Sequence, residues 1–217
     1  MKTLITVTAI SLMILSACDN RCVEGGGALA DYDLDVSSFD QISVSGPINI
    51  NITQGSTQAV TIQAEPEIYG IMEPRVKNGE LIIDFENRSC IQTDLGVTVN
   101  VTIPDLKRIE VSGTSMIQSI GNLELDHLTV KVSGTADVSL SGSAISQTYD
   151  VSGVLVASNF DFATSDVNVD ISGSGNMEVN CANNLDIDVS GSATVKYKGS
   201  PKISQKASGT INLVNSN

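Results

Sequence analysis

Apolar and polar residues alternate along most of this chain with a period of two. Gln41-Ile42-Ser43-Val44-Ser45-Gly46 and Ile48-Asn49-Ile50-Asn51-Ile52 keep it strictly, and so do Val97-Thr98-Val99-Asn100-Val101-Thr102-Ile103 and Val167-Asn168-Val169-Asp170-Ile171. Successive side chains of a strand point to opposite faces, so this alternation predicts strands with one buried face. Helical spacing is nearly absent. Its one stretch is Glu65 to Glu73, a turn or two, with Pro66 where helix entry tolerates it. Lys77-Asn78-Gly79-Glu80, between apolar runs, predicts a tight hairpin, because Asn-Gly takes positive φ at both turn positions.

The alternation is organised by a repeat. An apolar-Ser-Gly triplet recurs as Val111-Ser112-Gly113, Val132-Ser133-Gly134, Val151-Ser152-Gly153, Ile171-Ser172-Gly173, Val189-Ser190-Gly191 and Ala207-Ser208-Gly209, with steps of 21, 19, 20, 18 and 18 residues between glycines. An earlier copy, Val44-Ser45-Gly46, lies 67 residues before Gly113, about three such steps. Within a copy the count runs Asp170 out, Ile171 in, Ser172 out, then Gly173, Gly175, Met177, Val179 and Cys181 in. A period near 20 with strands and no helices predicts a β-solenoid, in which one coil cannot bury its apolar face until neighbours stack on it. Parallel strands joined by crossovers turn right-handed. The expected fold is therefore all-β: a right-handed, single-stranded parallel β-helix over residues 31–217, with coils of 18–21 residues. An antiparallel sandwich or barrel would need hairpin signals every ~8–12 residues, and after Asn78-Gly79 none is as clear.

The first residues read as an address. Lys2 is followed by an apolar run from Leu4 to Leu15, then by Ser16, Ala17 and Cys18. That is the order of a secretory signal, too short for a bilayer span of ~20 apolar residues. Leu15-Ser16-Ala17-Cys18 resembles the lipobox of bacterial lipoproteins, a resemblance that implies cleavage after residue 17 and acylation of Cys18. Cleavage after Ala17 by ordinary signal peptidase would leave Cys18 a spectator. Residues 18–30, with Gly25-Gly26-Gly27, read as a flexible tether between lipid and domain.

The segment Phe39-Asp40-Gln41-Ile42-Ser43-Val44-Ser45-Gly46, then Ile48 to Gln54-Gly55, then Val76-Lys77-Asn78-Gly79-Glu80-Leu81-Ile82-Ile83, resembles the opening of the head GIN domain family, and the Val-Ser-Gly copies resemble its continuation. The likeness spans residues 36–213. It implies an autotransporter-adhesin-like protein, of a kind frequent as lipoproteins in Bacteroidetes, and it brings no catalytic residues with it.

Charge and composition narrow the functional classes. The chain carries 25 Asp+Glu against 12 Lys+Arg, a net charge of −13 over 217 residues, and removing residues 1–17 takes away one Lys and no acid. A nucleic-acid partner needs a basic face and is not expected. With one His and no Trp, His-based metal sites and stacking platforms are poorly supplied. Export permits disulfides. After acylation of Cys18, three cysteines remain. The count places Cys181 inward as a small hydrophobe, which leaves Cys22, in the tether, and Cys90, in a polar loop, free to pair or not. There is no CxxC or Cys/His ligand spacing, so no zinc and no cofactor is expected.

Two further features bear on chemistry. His127, in Asp126-His127-Leu128, reads as a solvated residue in a connecting stretch; no nucleophile-elbow pattern accompanies it. The residues just before the triplets point outward: Glu110, Lys131, Asp150, Asp170, Asp188 and Lys206. Asp150, Asp170 and Asp188 would stack ~4.8 Å apart, a row that could hold a weak cation or simply be solvated. Repulsion at that spacing in water is about 0.9 kcal/mol per pair, and single carboxylates supply fewer than the roughly 6–8 oxygens calcium takes. The sequence thus reads as a non-catalytic lipoprotein of the bacterial envelope. It would be bound to the outer membrane through its lipid and present a rigid module to a glycan or protein ligand. The alternative is a β-helical polysaccharide lyase or glycoside hydrolase, which would need clustered acids with basic partners.

Overall fold

The computed structural model describes residues 22–86 and 90–217; the expected signal peptide (1–17) and Cys18 lie outside them. The chain starts with a two-residue strand, β1 (Val23–Glu24), followed by β2 (Ala30–Leu34), β3 (Gln41–Val44), β4 (Ile48–Gln54), β5 (Ala59–Ala64) and the single-turn helix α1 (Pro66–Tyr69). Next come β6 (Arg75–Lys77), β7 (Glu80–Ile83), β8 (Ile91–Gln92) and β9 (Val97–Ile103). From there the chain winds as a β-solenoid of about five turns. Its strands are β10 (Arg108–Val111), β11 (Thr114–Ser119), β12 (Leu123–Val132), β13 (Thr135–Ser139), β14 (Gly142–Val151), β15 (Val154–Ile171), β16 (Ser174–Val189), β17 (Ser192–Lys198), β18 (Lys202–Ala207) and β19 (Thr210–Asn215).

Each coil has a leading arm before the Ser-Gly pair and a trailing arm after it. Leading arms stack in parallel through β10, β12, β14, the second half of β15, the second half of β16, and β18. Trailing arms stack through β11, β13, β15, β16, β17 and β19. Around each triplet the register matches the repeat residue for residue, while the shorter coil of β16 is taken up by shifts against β15 between Asn159 and Ala163 and between Thr164 and Asp166. Val111, Val132, Val151, Ile171, Val189 and Ala207 form one inward column, and all but the last are buried. The inward count from Ile171 to Cys181 holds, with Met177, Val179 and Cys181 at 1% exposure or less.

The corner explains its own composition. Ser152 and Gly153 N–H both donate to the Val132 carbonyl, at 2.9 and 3.0 Å, and Val154 N–H donates to the Gly134 carbonyl at 2.8 Å. This brings the coils so close that a Cβ on Gly153 would lie 2.0 Å from the Gly134 oxygen. The glycine column is thus set by backbone meeting backbone, where any side chain would collide, rather than by a narrow apolar interior.

The amino-terminal part departs from the simple stack. Residues 55–107 do not form three further coils between Gly46 and Gly113, as the spacing suggests. Val44 pairs directly with Val111, and Ile50 with Ile117, so β3–β4 is the immediate neighbour of β10–β11. On its other side, β7 pairs in parallel with β3 and β9 with β4. The chain therefore builds the second coil first, loops out, and returns beneath it. The return uses antiparallel strands: β5 lies between β2 and β9, and β6 pairs with β7. The β6–β7 hairpin turns at Asn78 (φ 53°) and Gly79 (φ 77°), the positive-φ pair that Asn-Gly accommodates.

The presumed tether is fastened from its fifth residue. Cys22 and Cys90 are joined by a disulfide, β1 pairs with β8, and Gly25 abuts Glu65 so closely that a Cβ there would strike its carboxylate. Short strand pairing and a covalent clip thus attach residues 22–25 to the domain.

Candidate functional site

The leading arms present polar rows, one residue per coil. Glu110, Lys131, Asp150, Asp170, Asp188 and Lys206 stand in register as one row. Beside it, Arg108, Thr129, Thr148, Asn168, Asp186 and Ser204 form a second, which continues on the other side of Arg108 through Gln41 to Glu80. Lys131 Nζ lies 3.5 Å from Asp150 Oδ2, so the uppermost carboxylate of the three already has a cation. A shallow depression of about 340 Å³ spreads over Asn168, Asp170, Asp186 and Asp188. A stack of parallel strands aims its side chains side by side rather than at one point. Accordingly, among the described residues no three His, Cys, Asp or Glu side chains gather to hold a metal ion. The trailing arms differ: their outward positions are hydroxyl-rich and include exposed Met116, Val154 and Val156.

His127 lies within β12, not in a connection. Its Nδ1 is 2.8 Å from Ser146 Oγ, the residue across the ladder. On its other side Ser146 is paired with Asp166. The order along the row is His, Ser, Asp. A nucleophile–base–carboxylate relay needs the imidazole in the middle, so this row does not assemble one. Cys181 is fully buried, with its Sγ 3.1 Å from the Asn184 carbonyl; burial pushes its thiol up from the ordinary value. It is a packing residue rather than a nucleophile.

Polar groups inside the stack serve structure. Tyr149 is fully buried. Its hydroxyl accepts from Asn159 Nδ2 at 2.5 Å, while Asn159 Oδ1 accepts from Leu140 N–H at 2.8 Å. Desolvation drives the Tyr149 phenol well above its usual range, against the opposing Asn159 contact, so it stays a neutral hydroxyl. At the amino-terminal end, buried Glu65 accepts from Thr93 Oγ1 at 2.5 Å.

A second concavity opens where β3 and β10 begin, beside the middle of β12. It is a groove of about 300 Å³ lined by Gln41, Lys107, Arg108, His127 and Thr129, with Asp105 and Asp126 at its walls. Lys107 Nζ lies 2.5 Å from Asp40 Oδ2, and that ammonium holds the Asp40 carboxyl below the usual carboxylate range. The repeat register could have found this cluster: Arg108 and Thr129 stand three residues before Val111 and Val132 in adjacent coils, and His127 precedes Thr129 by two. What hid it was Gln41, brought alongside Arg108 across the misread 67-residue gap.

Residues 38–201 match the family described as "Putative auto-transporter adhesin, head GIN domain". The chain belongs to the head GIN domain family. Solved structures share the head GIN fold seen here. A protein from Bacteroides fragilis described as a "putative adhesin" is 22% identical, with a TM-score of 0.67 over 89% of this chain and 97% of its own. A protein from Parabacteroides distasonis described as a "putative lipid binding protein" is 16% identical, with a TM-score of 0.61 over 91% of this chain and 100% of its own. A "putative adhesin" from the same species is 21% identical, with a TM-score of 0.53 over 89% and 100%. No curated protein matches the head GIN chain.

Proposed function

We propose that this chain is a non-catalytic, adhesin-like lipoprotein of the bacterial envelope, anchored to the outer membrane by acylated Cys18, that presents a rigid solenoid to an external ligand. The observation that carries the reading is the Cys22–Cys90 bond. Four residues of extended chain reach at most ~14 Å. A lipid on Cys18 would therefore hold the antiparallel, disulfide-clipped end of the domain beside the membrane and direct the coils away from it. The polar rows favour presentation over turnover, because single-file side chains offer a repetitive surface and no convergent acid–base pair. Neighbours described as adhesins and as a lipid-binding protein support a binding module of the envelope.

The test uses the full chain in a bacterial host with a clickable fatty acid. Label in the wild type, absent from Cys18→Ala along with membrane association, is the expected result. Unlabelled wild type sinks the anchor. Release of reducing ends or unsaturated products from acidic or neutral polysaccharides by the purified protein would replace the binding module with an enzyme.

A further inference from the structure

We propose that the groove at the start of β3 and β10, beside the middle of β12, is a binding site for a carboxylate-bearing sugar, a hexuronate unit; this deepens the binding-module reading above and rests on it. The argument begins with Arg108. Two arginines are described, and their states differ. Arg75 makes a two-pronged contact with Asp84, at 2.6 and 2.8 Å. Among the described residues Arg108 has no hydrogen-bond or ion-pair partner, although the chain carries twice as many acids as bases. A planar guanidinium left open in a concavity is shaped for an external carboxylate in the geometry Arg75 uses internally.

The surroundings define the rest of the ligand. Lys107 is committed to Asp40 at 2.5 Å and lies 4.0 Å from Asp105, one cation between two carboxylates, so it offers no free charge to a ligand and Arg108 is left as the groove's open cation. The His127 Nδ1 is taken up by Ser146, which leaves its Nε2 available to the groove. Gln41 and Thr129 flank Arg108 across the ladder on either side. Asp105 and Asp126 on the walls accept hydrogen bonds from hydroxyls and repel a second negative group. One carboxylate ringed by hydroxyls satisfies this set; a densely sulfated chain does not. The site is also preorganised. Thr129 N–H donates to the Lys107 carbonyl at 2.9 Å, and Lys107 N–H to the Asp40 carbonyl at 2.8 Å, which fixes the backbone beneath the cluster. No Phe, Tyr or Trp ring is among the residues that line the groove, so binding of a single unit is weak and depends on the Arg108 contact.

The experiment titrates the full chain with glucuronate, glucose and acetate at constant ionic strength, followed by ligand-observed NMR and calorimetry. Glucuronate should bind, with glucose and acetate each at least about tenfold weaker, because neither brings both the charge and the hydroxyls. Arg108→Gln should weaken glucuronate by about tenfold or more while leaving the melting temperature unchanged, since Arg108 is exposed and unpaired. Lys77→Gln, which removes a cation from the distant hairpin, should leave binding as it was. Glucose binding as tightly as glucuronate, acetate matching it, indifference to Arg108→Gln, or no binding at all would each overturn the proposal. Fatty-acid labelling of Cys18 and the absence of turnover do not depend on these outcomes, so failure here leaves the anchored-module reading to stand or fall on its own test.

Discussion

The two ends of the solenoid solve the same problem differently. At the amino-terminal end the stack is closed: β7 and β9 lie beneath β3 and β4, and β6, β5 and β2 extend the sheets in antiparallel fashion. Tyr32 and Tyr69 stack at 3.6 Å over that end, and the Cys22–Cys90 bond holds the entering chain against it. At the other end, among the described residues, β18 pairs only with β16 and β19 only with β17. Leu185 and Ile187 are buried, while the next members of their columns, Ile203 and Gln205, are exposed. Burial in this fold is therefore conferred by the following coil rather than by the residue's own conformation. The sequence responds to the difference: beyond Asp188 the chain carries Lys196, Lys198, Lys202 and Lys206 and no acid. Lys202 and Lys206 lie on the open strand itself, where charge discourages edge-to-edge pairing with another chain.

The most direct way to break the comparison is to put the same charge at the same column position in both places. Ile171→Asp buries a carboxylate between Val151 and Val189 with no partner and should cost more than about 4 kcal/mol, enough to threaten folding. Ala207→Asp, two coils on, faces water and should change stability by no more than about 0.5 kcal/mol. Urea denaturation of both variants checks this; equal losses would mean that the last coil is covered in solution.

The disulfide comes next. It closes a span of 68 residues, for which the loss of chain entropy in the unfolded state corresponds to about 4 kcal/mol as an upper figure. Cys22→Ser should lower the unfolding free energy, read from urea curves, by a large part of that, and a reductant should do the same to the wild type while leaving the variant unaffected. A wild type indifferent to reductant would show that the clip contributes nothing to the closed end.

A glycine swap sharpens the contrast at smaller scale. In Gly153→Ala the new methyl meets the Gly134 carbonyl, and the coil is held from above by Gly173, so the strain has nowhere to go; about 1–3 kcal/mol is expected. Gly209→Ala meets the Gly191 carbonyl at the same 2.0 Å, yet its coil is paired on one side only and can lift. Its cost should be well below that of Gly153→Ala in thermal melts, and the reverse ranking would contradict an open last coil.

The same contrast explains what was legible. From Val111 onward each coil copies its neighbour, so local alternation and the Ser-Gly spacing together determine register, and the buried column follows by counting. In residues 55–107 the partners are distant in sequence and the pairing is partly antiparallel, and no local pattern records that β7 returns beneath β3. The carboxylate row was readable because its members belong to consecutive triplets. The Arg108 groove was readable only in part: Arg108, Thr129 and His127 follow from the repeat register, but Gln41 comes from before the excursion and Arg108 from after it.

The smallest expected effect concerns that carboxylate row, and its sign carries the information. Asp170 stands between Asp150 and Asp188, the first of which leans toward Lys131 and the second of which neighbours Lys206. Asp170 alone has carboxylates on both sides and no cation beside it in the row. Replacing it with Asn keeps the shape, removes two repulsive contacts and breaks no side-chain hydrogen bond among the described residues, so Asp170→Asn should be neutral or slightly stabilising, with the gain fading as salt screens the row. Calcium sharpens the point. A cation bound only to the folded state would raise the melting temperature of the wild type, and Asp170→Asn would abolish that rise. Single-file carboxylates offer too few oxygens in one place, so millimolar calcium should act no differently from sodium chloride of equal ionic strength. A calcium-specific rise lost in Asp170→Asn would show that the coils can bend enough to turn a row into a site, and that their outward side chains are less rigidly parallel than the ladder makes them.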